Sequence, residues 1–326
     1  MTDEIKRGRL FVGCIFSLVA TAFGFVLRGD LLATWQAEFG LSEEQKGIII
    51  GAGLFPFAIS IILFSLIVDR IGYGTAMVFA FLGHVISAGL TLGAGFIVDP
   101  NDPGSYKVAY QLLYTGTLIY ALANGIVEAV INPVTATLYP EKKTHYLNIL
   151  HAGWPLGLVL TALLTFGAGY LGRADHEVMD SLPLGMKLWQ WKMALVLLPT
   201  LLYGVLLFRQ SFPVQERVSA GVSYREMMQE FGSASAFIVT FLLGLGIFQI
   251  LGVFEIEAPN PETAHLFPIA ISVAAGAIMS MLFTVLYGDK APFLTIVSFI
   301  LFLVGTVAVV GATLNLCNLE FASEHV

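Results

Sequence analysis

Long apolar runs broken by short polar turns set the pattern of this chain. A helix that crosses a hydrocarbon layer needs about 20 mostly apolar residues. Nine runs reach that length, at residues 10–35, 45–68, 75–98, 108–138, 147–171, 189–208, 233–254, 266–287 and 292–314. Two connectors are longer than a turn. Residues 172–188 are polar, with Arg173, Asp175, Glu177 and Asp180. Residues 209–231 read as an amphipathic surface helix between two halves. The pattern predicts an all-α membrane protein with a six-helix half over residues 1–208, a linker over 209–232 and about three more helices over 233–326.

Composition narrows the class. Of the 326 residues, 57% are hydrophobic and 12% charged, against about 25% charged in soluble domains. A net charge of −7 without a basic stripe speaks against nucleic acid as a partner. Cys14 and Cys317 lie at opposite ends of the chain and form neither a disulfide framework nor a metal spacing. The first apolar run is too long for a cleaved signal peptide and reads as the first span. If the N-terminus is inside, ten Lys and Arg residues fall inside and five outside, with Arg28 left over near the outer end of the first span. That bias predicts a multi-pass protein of the cell membrane (inner or plasma) with a cytoplasmic N-terminus.

The acid–base turns hint at a repeat. Asp69-Arg70 follows the start of the first run by 59 residues, and Asp289-Lys290 follows the start of the seventh by 56. Residues 233–314 therefore read as a copy of 10–98, a device common in transporters.

Chemistry enters with Glu128. It lies in Gly125-Ile126-Val127-Glu128-Ala129-Val130-Ile131-Asn132-Pro133, thirteen residues from Glu141, the nearest other charge along the chain. A carboxylate at membrane depth is costly and marks a cavity or a proton path. Asn124, Glu128 and Asn132 are four apart and share one helix face. Pro133 frees a backbone carbonyl just beyond them. This stripe predicts a cavity lining, the alternative being hydrogen-bonded glue between helices. In the fifth run Asn148, His151 and Trp154 are three apart and also share a face. An indole beside polar groups offers a platform and a donor for a sugar ring, the other reading being an interfacial anchor. His84 lies roughly nine residues into the third run, at the depth of Glu128. A His–Glu pair there would carry a proton, whereas a lone membrane histidine bonds backbone or water. Near the end of the first run, Arg28 and Asp30 point to different sides of a regular helix. Both have surface water within reach as the plain alternative.

The turn Ser65-Leu66-Ile67-Val68-Asp69-Arg70-Ile71-Gly72-Tyr73-Gly74 joins the second and third runs. Asp69 ends a helix, Arg70 offers a fork of donors and Gly72 permits a tight reversal. The turn resembles the loop motif of the major facilitator superfamily: Gly, three residues, Asp-Arg, one residue, Gly, then basic residues. Asp69, Arg70 and Gly72 match, while Ser65 replaces the leading Gly and Tyr73-Gly74 the basic pair. The resemblance implies a latch that holds two halves in one gate state.

Glu128 to Asn132-Pro133, then Tyr139-Pro140 and Leu147-Asn148, resemble the fucose permease and glucose/galactose transporter branch of that superfamily. The branch reads Glu, three residues, Asn-Pro, then Gly-Pro and Arg-Leu-Asn. Tyr139 replaces its Gly, Tyr146 its Arg and His151 a Gln. The resemblance implies a proton-linked, sugar-contacting role for Glu128, and a role in sugar binding and proton gating for Asp30. It implies a major-facilitator-type helical bundle acting as a secondary active transporter, with proton-coupled uptake of a sugar or similar hydroxyl-rich solute by alternating access. The partners would be the solute, protons and the bilayer, with no cofactor or metal. The superfamily has twelve spans in four units of three. Nine runs leave the last unit unaccounted for, so the alternatives are a fragment or a second half completed by another chain or a dimer. An intramembrane enzyme is a further alternative, but no His-Glu-x-x-His, paired-aspartate or Gly-x-Ser-x-Gly pattern is present. The chain reads as no enzyme.

Overall fold

The computed structural model of the chain describes residues 6–174, 183–255 and 266–288. All regular structure among them is helical. The helices are α1 (Arg7–Phe39), α2 (Glu43–Ile71), α3 (Tyr73–Ile97), α4 (Pro103–Leu138), α5 (Lys143–Ala174), α6 (Leu188–Ala194), α7 (Leu197–Leu207), α8 (Glu216–Ser219), α9 (Tyr224–Val253) and α10 (Leu266–Tyr287). Eight stretches among the described residues are long and apolar enough to cross a membrane, α6 and α7 together forming one of them. The ninth expected span, 292–314, and the second acid–base turn at Asp289-Lys290 lie outside the described residues.

The helices run beyond the apolar runs because caps, not hydropathy, set their ends. The Ser42 hydroxyl accepts from the Gln45 N–H at 3.1 Å while the Gln45 side chain accepts from the Ser42 N–H at 2.9 Å, starting α2. Asp102 accepts from the Gly104 N–H at 2.9 Å ahead of Pro103, the first residue of α4. Ser223 and Glu226 repeat the reciprocal cap at the start of α9. The sixth run divides into α6 and α7 at Leu195 and Val196. Pro199 explains the break: it offers no N–H to the Leu195 carbonyl, and its ring crowds that carbonyl.

The connector 209–231, expected as one amphipathic helix, is something else. Arg209 turns the chain with φ 53, residues 210–215 are irregular, and α8 is a single turn. From Tyr224 the chain already belongs to α9, which bends at Gly232 (φ 75, ψ 163).

The chain forms two compact units, Met1–Gly221 and Val222–Val326. In the first unit α1 and α4 are the most buried of the spans. Leu10, Cys14 and Leu18 of α1 pack with Met77 of α3, Val127, Val130 and Ile131 of α4, and Tyr203 of α7. Residues 209–221 of the connector belong to this unit. Asp69 pairs with Arg217, and Lys143 with Glu216 at 2.8 Å. In the second unit α9 and α10 approach closely where Ser272 seats on Gly244 and Phe237 on Gly276.

Candidate functional site

Helix α4 carries the polar chemistry into the first unit. Glu128 is half-buried on it. The Asn132 amide donates to the Glu128 carboxylate and to the Glu128 backbone carbonyl, both at 3.1 Å. Asn132 Oδ1 is buried and meets no protein donor among the described residues. His151 of α5 lies within electrostatic reach of Glu128. Pro133, next to Asn132, sits inside α4 and leaves the Ala129 carbonyl without its helical donor.

The structure does not pair His84 with Glu128. His84 is buried at 1% exposure, and both ring nitrogens are taken. Nε2 faces Asn124 Oδ1 at 2.9 Å and Nδ1 faces the Tyr203 hydroxyl at 2.9 Å. With the amide oxygen toward Nε2, that nitrogen carries a proton and donates to Asn124. Asn124, placed on the Glu128 face by its spacing, is thus committed to α3 at its own level.

Arg28 does not reach surface water either. It is 8% exposed. Nη2 donates to Ser87 Oγ at 2.7 Å and Nε to Thr117 Oγ1 at 3.2 Å, while Nη1 reaches the Gly24 carbonyl at 3.2 Å. The guanidinium lies over the Tyr120 ring, 4.1 Å from its centre. No carboxylate pairs with Arg28 among the described residues. Tyr120 continues the chain of contacts. Its ring packs 5.4 Å from that of His84, and its hydroxyl donates to the Thr21 carbonyl. Gly24 makes this possible, because a Cβ there would strike the Tyr120 ring.

A polar column therefore runs through the unit, from Arg28 through Tyr120 and His84 to Asn124, with Glu128 and Asn132 following on α4. Ser87, Thr117, Tyr120 and Tyr203 are its members without a charge signal in the sequence. Two of them were within reach of a spacing argument, since Thr117 and Tyr120 extend the α4 stripe at seven and four residues before Asn124.

The other expected residues are not part of this column. Asp30 is exposed and pairs with Lys192 of α6 at 3.1 Å. Asn148 and His151 lie on the exposed side of α5, while Trp154 is half-buried with its ring 6.0 Å from that of Phe25. The two aromatic departures from the sugar-transporter pattern are one feature: the Tyr139 and Tyr146 rings stack at 3.5 Å, and Phe11 meets both edge-on. At the turn, Gly72 ends α2 and precedes α3 with φ 82 and ψ 149, a region open to glycine almost alone. Asp69 is bound by Arg217 of α8, and Arg70 is exposed.

This arrangement buries hydrogen-bonded polar groups inside a unit of apolar, span-length helices. Among the described residues no group of three His, Cys, Asp or Glu side chains is set to hold a metal ion. Comparison with curated proteins gives no match. The family model of the Major Facilitator Superfamily matches residues 8–321. An all-α bundle of membrane-spanning helices with that match over nearly its whole length belongs to the Major Facilitator Superfamily, and the chain is a membrane transporter of that superfamily.

Proposed function

We propose that this transporter couples protons to the uptake of a sugar or similar hydroxyl-rich solute by alternating access, within the fucose permease and glucose/galactose branch. The carrying observation is the Glu128–Asn132 pair, with a buried amide oxygen that no donor satisfies among the described residues. An unsatisfied buried acceptor costs about 1–3 kcal/mol, so a solute hydroxyl that donates to Asn132 Oδ1 binds with that gain. Ionised, Glu128 only accepts hydrogen bonds; protonated, it also donates one. Proton loading thus changes what the pair offers the solute. His151, within electrostatic reach of Glu128, is the neighbour through which the proton is exchanged with water, and Asn148 and Trp154, three residues to either side of it on α5, would extend that face toward the solute. Asp30, released from Lys192, serves the outer gate. Asp69, Arg70 and Gly72 form the latch on the cytoplasmic side, with the N-terminus on that side of the cell membrane.

Proteoliposomes with an imposed pH gradient and a panel of monosaccharides test this reading. The parent chain is expected to concentrate one sugar class. Glu128→Gln is expected to lose accumulation at least tenfold while still exchanging solute down its gradient. Accumulation by Glu128→Gln equal to that of the parent would sink the role of this carboxylate. A thermal-shift screen at two pH values identifies the solute class, and a response to a different class alone would remove the sugar assignment.

A further inference from the structure

An apolar groove of about 760 Å³ lies between α3 and α7, at the end of the first unit where α1 begins. Val78 and Phe81 form one wall, and Leu201 and Val205 the other, with Phe208 at the rim. Val78, Leu201, Val205 and Phe208 are each more than half exposed. In a chain that sits in a bilayer, such a surface meets acyl chains.

Two cations line the same groove. Arg9 donates through Nε to the Leu206 carbonyl at 2.9 Å and through Nη2 to the Val205 carbonyl at 2.7 Å, which ties it to the last turn of α7. Its remaining N–H groups meet no acceptor among the described residues. Arg209 lies over the Phe208 ring at 5.1 Å. It is a non-glycine residue at φ 53, a strained backbone state, and such strain gathers at functional sites. No carboxylate pairs with either arginine among the described residues. An apolar trough ending in two exposed, uncompensated guanidinium groups is complementary to a molecule with an apolar tail and an anionic head.

We infer that this groove binds an anionic phospholipid, with acyl chain against Val78, Leu201 and Val205 and phosphate at Arg9 and Arg209. Guanidinium suits a phosphate better than ammonium does, because its fork matches two phosphate oxygens. A zwitterionic lipid brings its own cation toward the two arginines and is disfavoured.

Native mass spectrometry of the purified full chain, with phosphatidylglycerol and phosphatidylcholine of identical acyl chains, tests the inference. The parent is expected to retain phosphatidylglycerol with about tenfold preference. Arg209→Gln should lose most of that preference and Arg9→Gln with Arg209→Gln all of it. Val78→Trp, which fills the trough and leaves both charges, should weaken binding of both lipids. Lys142→Gln, an exposed cation outside the groove, should change nothing. Equal retention of the two lipids by the parent overturns the inference, as does a preference lost equally in Lys142→Gln. Arg9 also holds α7, so circular dichroism accompanies each variant; if the double variant loses helix, Arg209→Gln alone decides.

Discussion

Arg28 carries a full charge into the middle of a helical bundle, and hydroxyls, carbonyls and a tyrosine face receive it in place of a carboxylate. Such a group holds its place only while its donors find acceptors, because the cost of an unpaired buried charge is several kcal/mol. The match depends on the planar fork, not on charge alone. Arg28→Lys keeps the charge but loses the fork and most of the stacking on Tyr120, so its thermal unfolding temperature in detergent is expected to fall. Unfolding at the parent temperature would show that the charge suffices. His84 works the same way, with both ring nitrogens partnered. His84→Leu orphans both the Asn124 amide oxygen and the Tyr203 hydroxyl, at about 1–3 kcal/mol for each group. His84→Gln, which can still bond one of them, is expected to recover part of the loss in the same unfolding assay.

At the level of elements, single residues decide where helices stop. Pro199 divides the sixth span, and Gly72 lets α3 follow α2 with one residue between them. At φ 82 and ψ 149 any side chain is strained, so Gly72→Ala is expected to cost about 1–3 kcal/mol, read as a lower unfolding temperature. Open space around Gly72 makes backbone strain, not collision, the cause. The same turn anchors the irregular connector through Asp69 and Arg217. Asp69→Asn removes the charge that holds Arg217, and trypsin is expected to cut after Arg217 several-fold faster than in the parent. An unchanged cleavage rate would mean that Lys143–Glu216 and the packing of Phe212 hold this segment without Asp69.

For the whole molecule, the unit Met1–Gly221 has its own packed interior and its own polar column. Residues 1–221 expressed alone are expected to insert, remain monodisperse in detergent and unfold cooperatively; aggregation or gradual melting would show that the rest of the chain is needed. The positions of the eight spans among the described residues were legible in the sequence, since hydrocarbon admits only long apolar helices, and Glu128 stands out there as a lone carboxylate in an apolar run. Gly72 was legible as the reversal because no other residue suits it. Which way each helix turns was not. In a bilayer both the lipid-facing and the packed surfaces are apolar, so hydropathy has no contrast between them: on α3, Val78, Phe79 and Ile86 are exposed while Met77, Ala80 and Ala88 are buried. Membrane depth, helix length and the odd polar residue are therefore properties of the sequence by itself. The Glu128–Asn132 pair, four apart on α4, follows from helix periodicity, whereas the packing of α1, α3, α4 and α7 against one another decided that Arg28 is buried and that His84 answers to Asn124 and Tyr203, because hydrogen-bond partners between helices follow from helix rotation and proximity, which no one-dimensional pattern of apolar residues encodes.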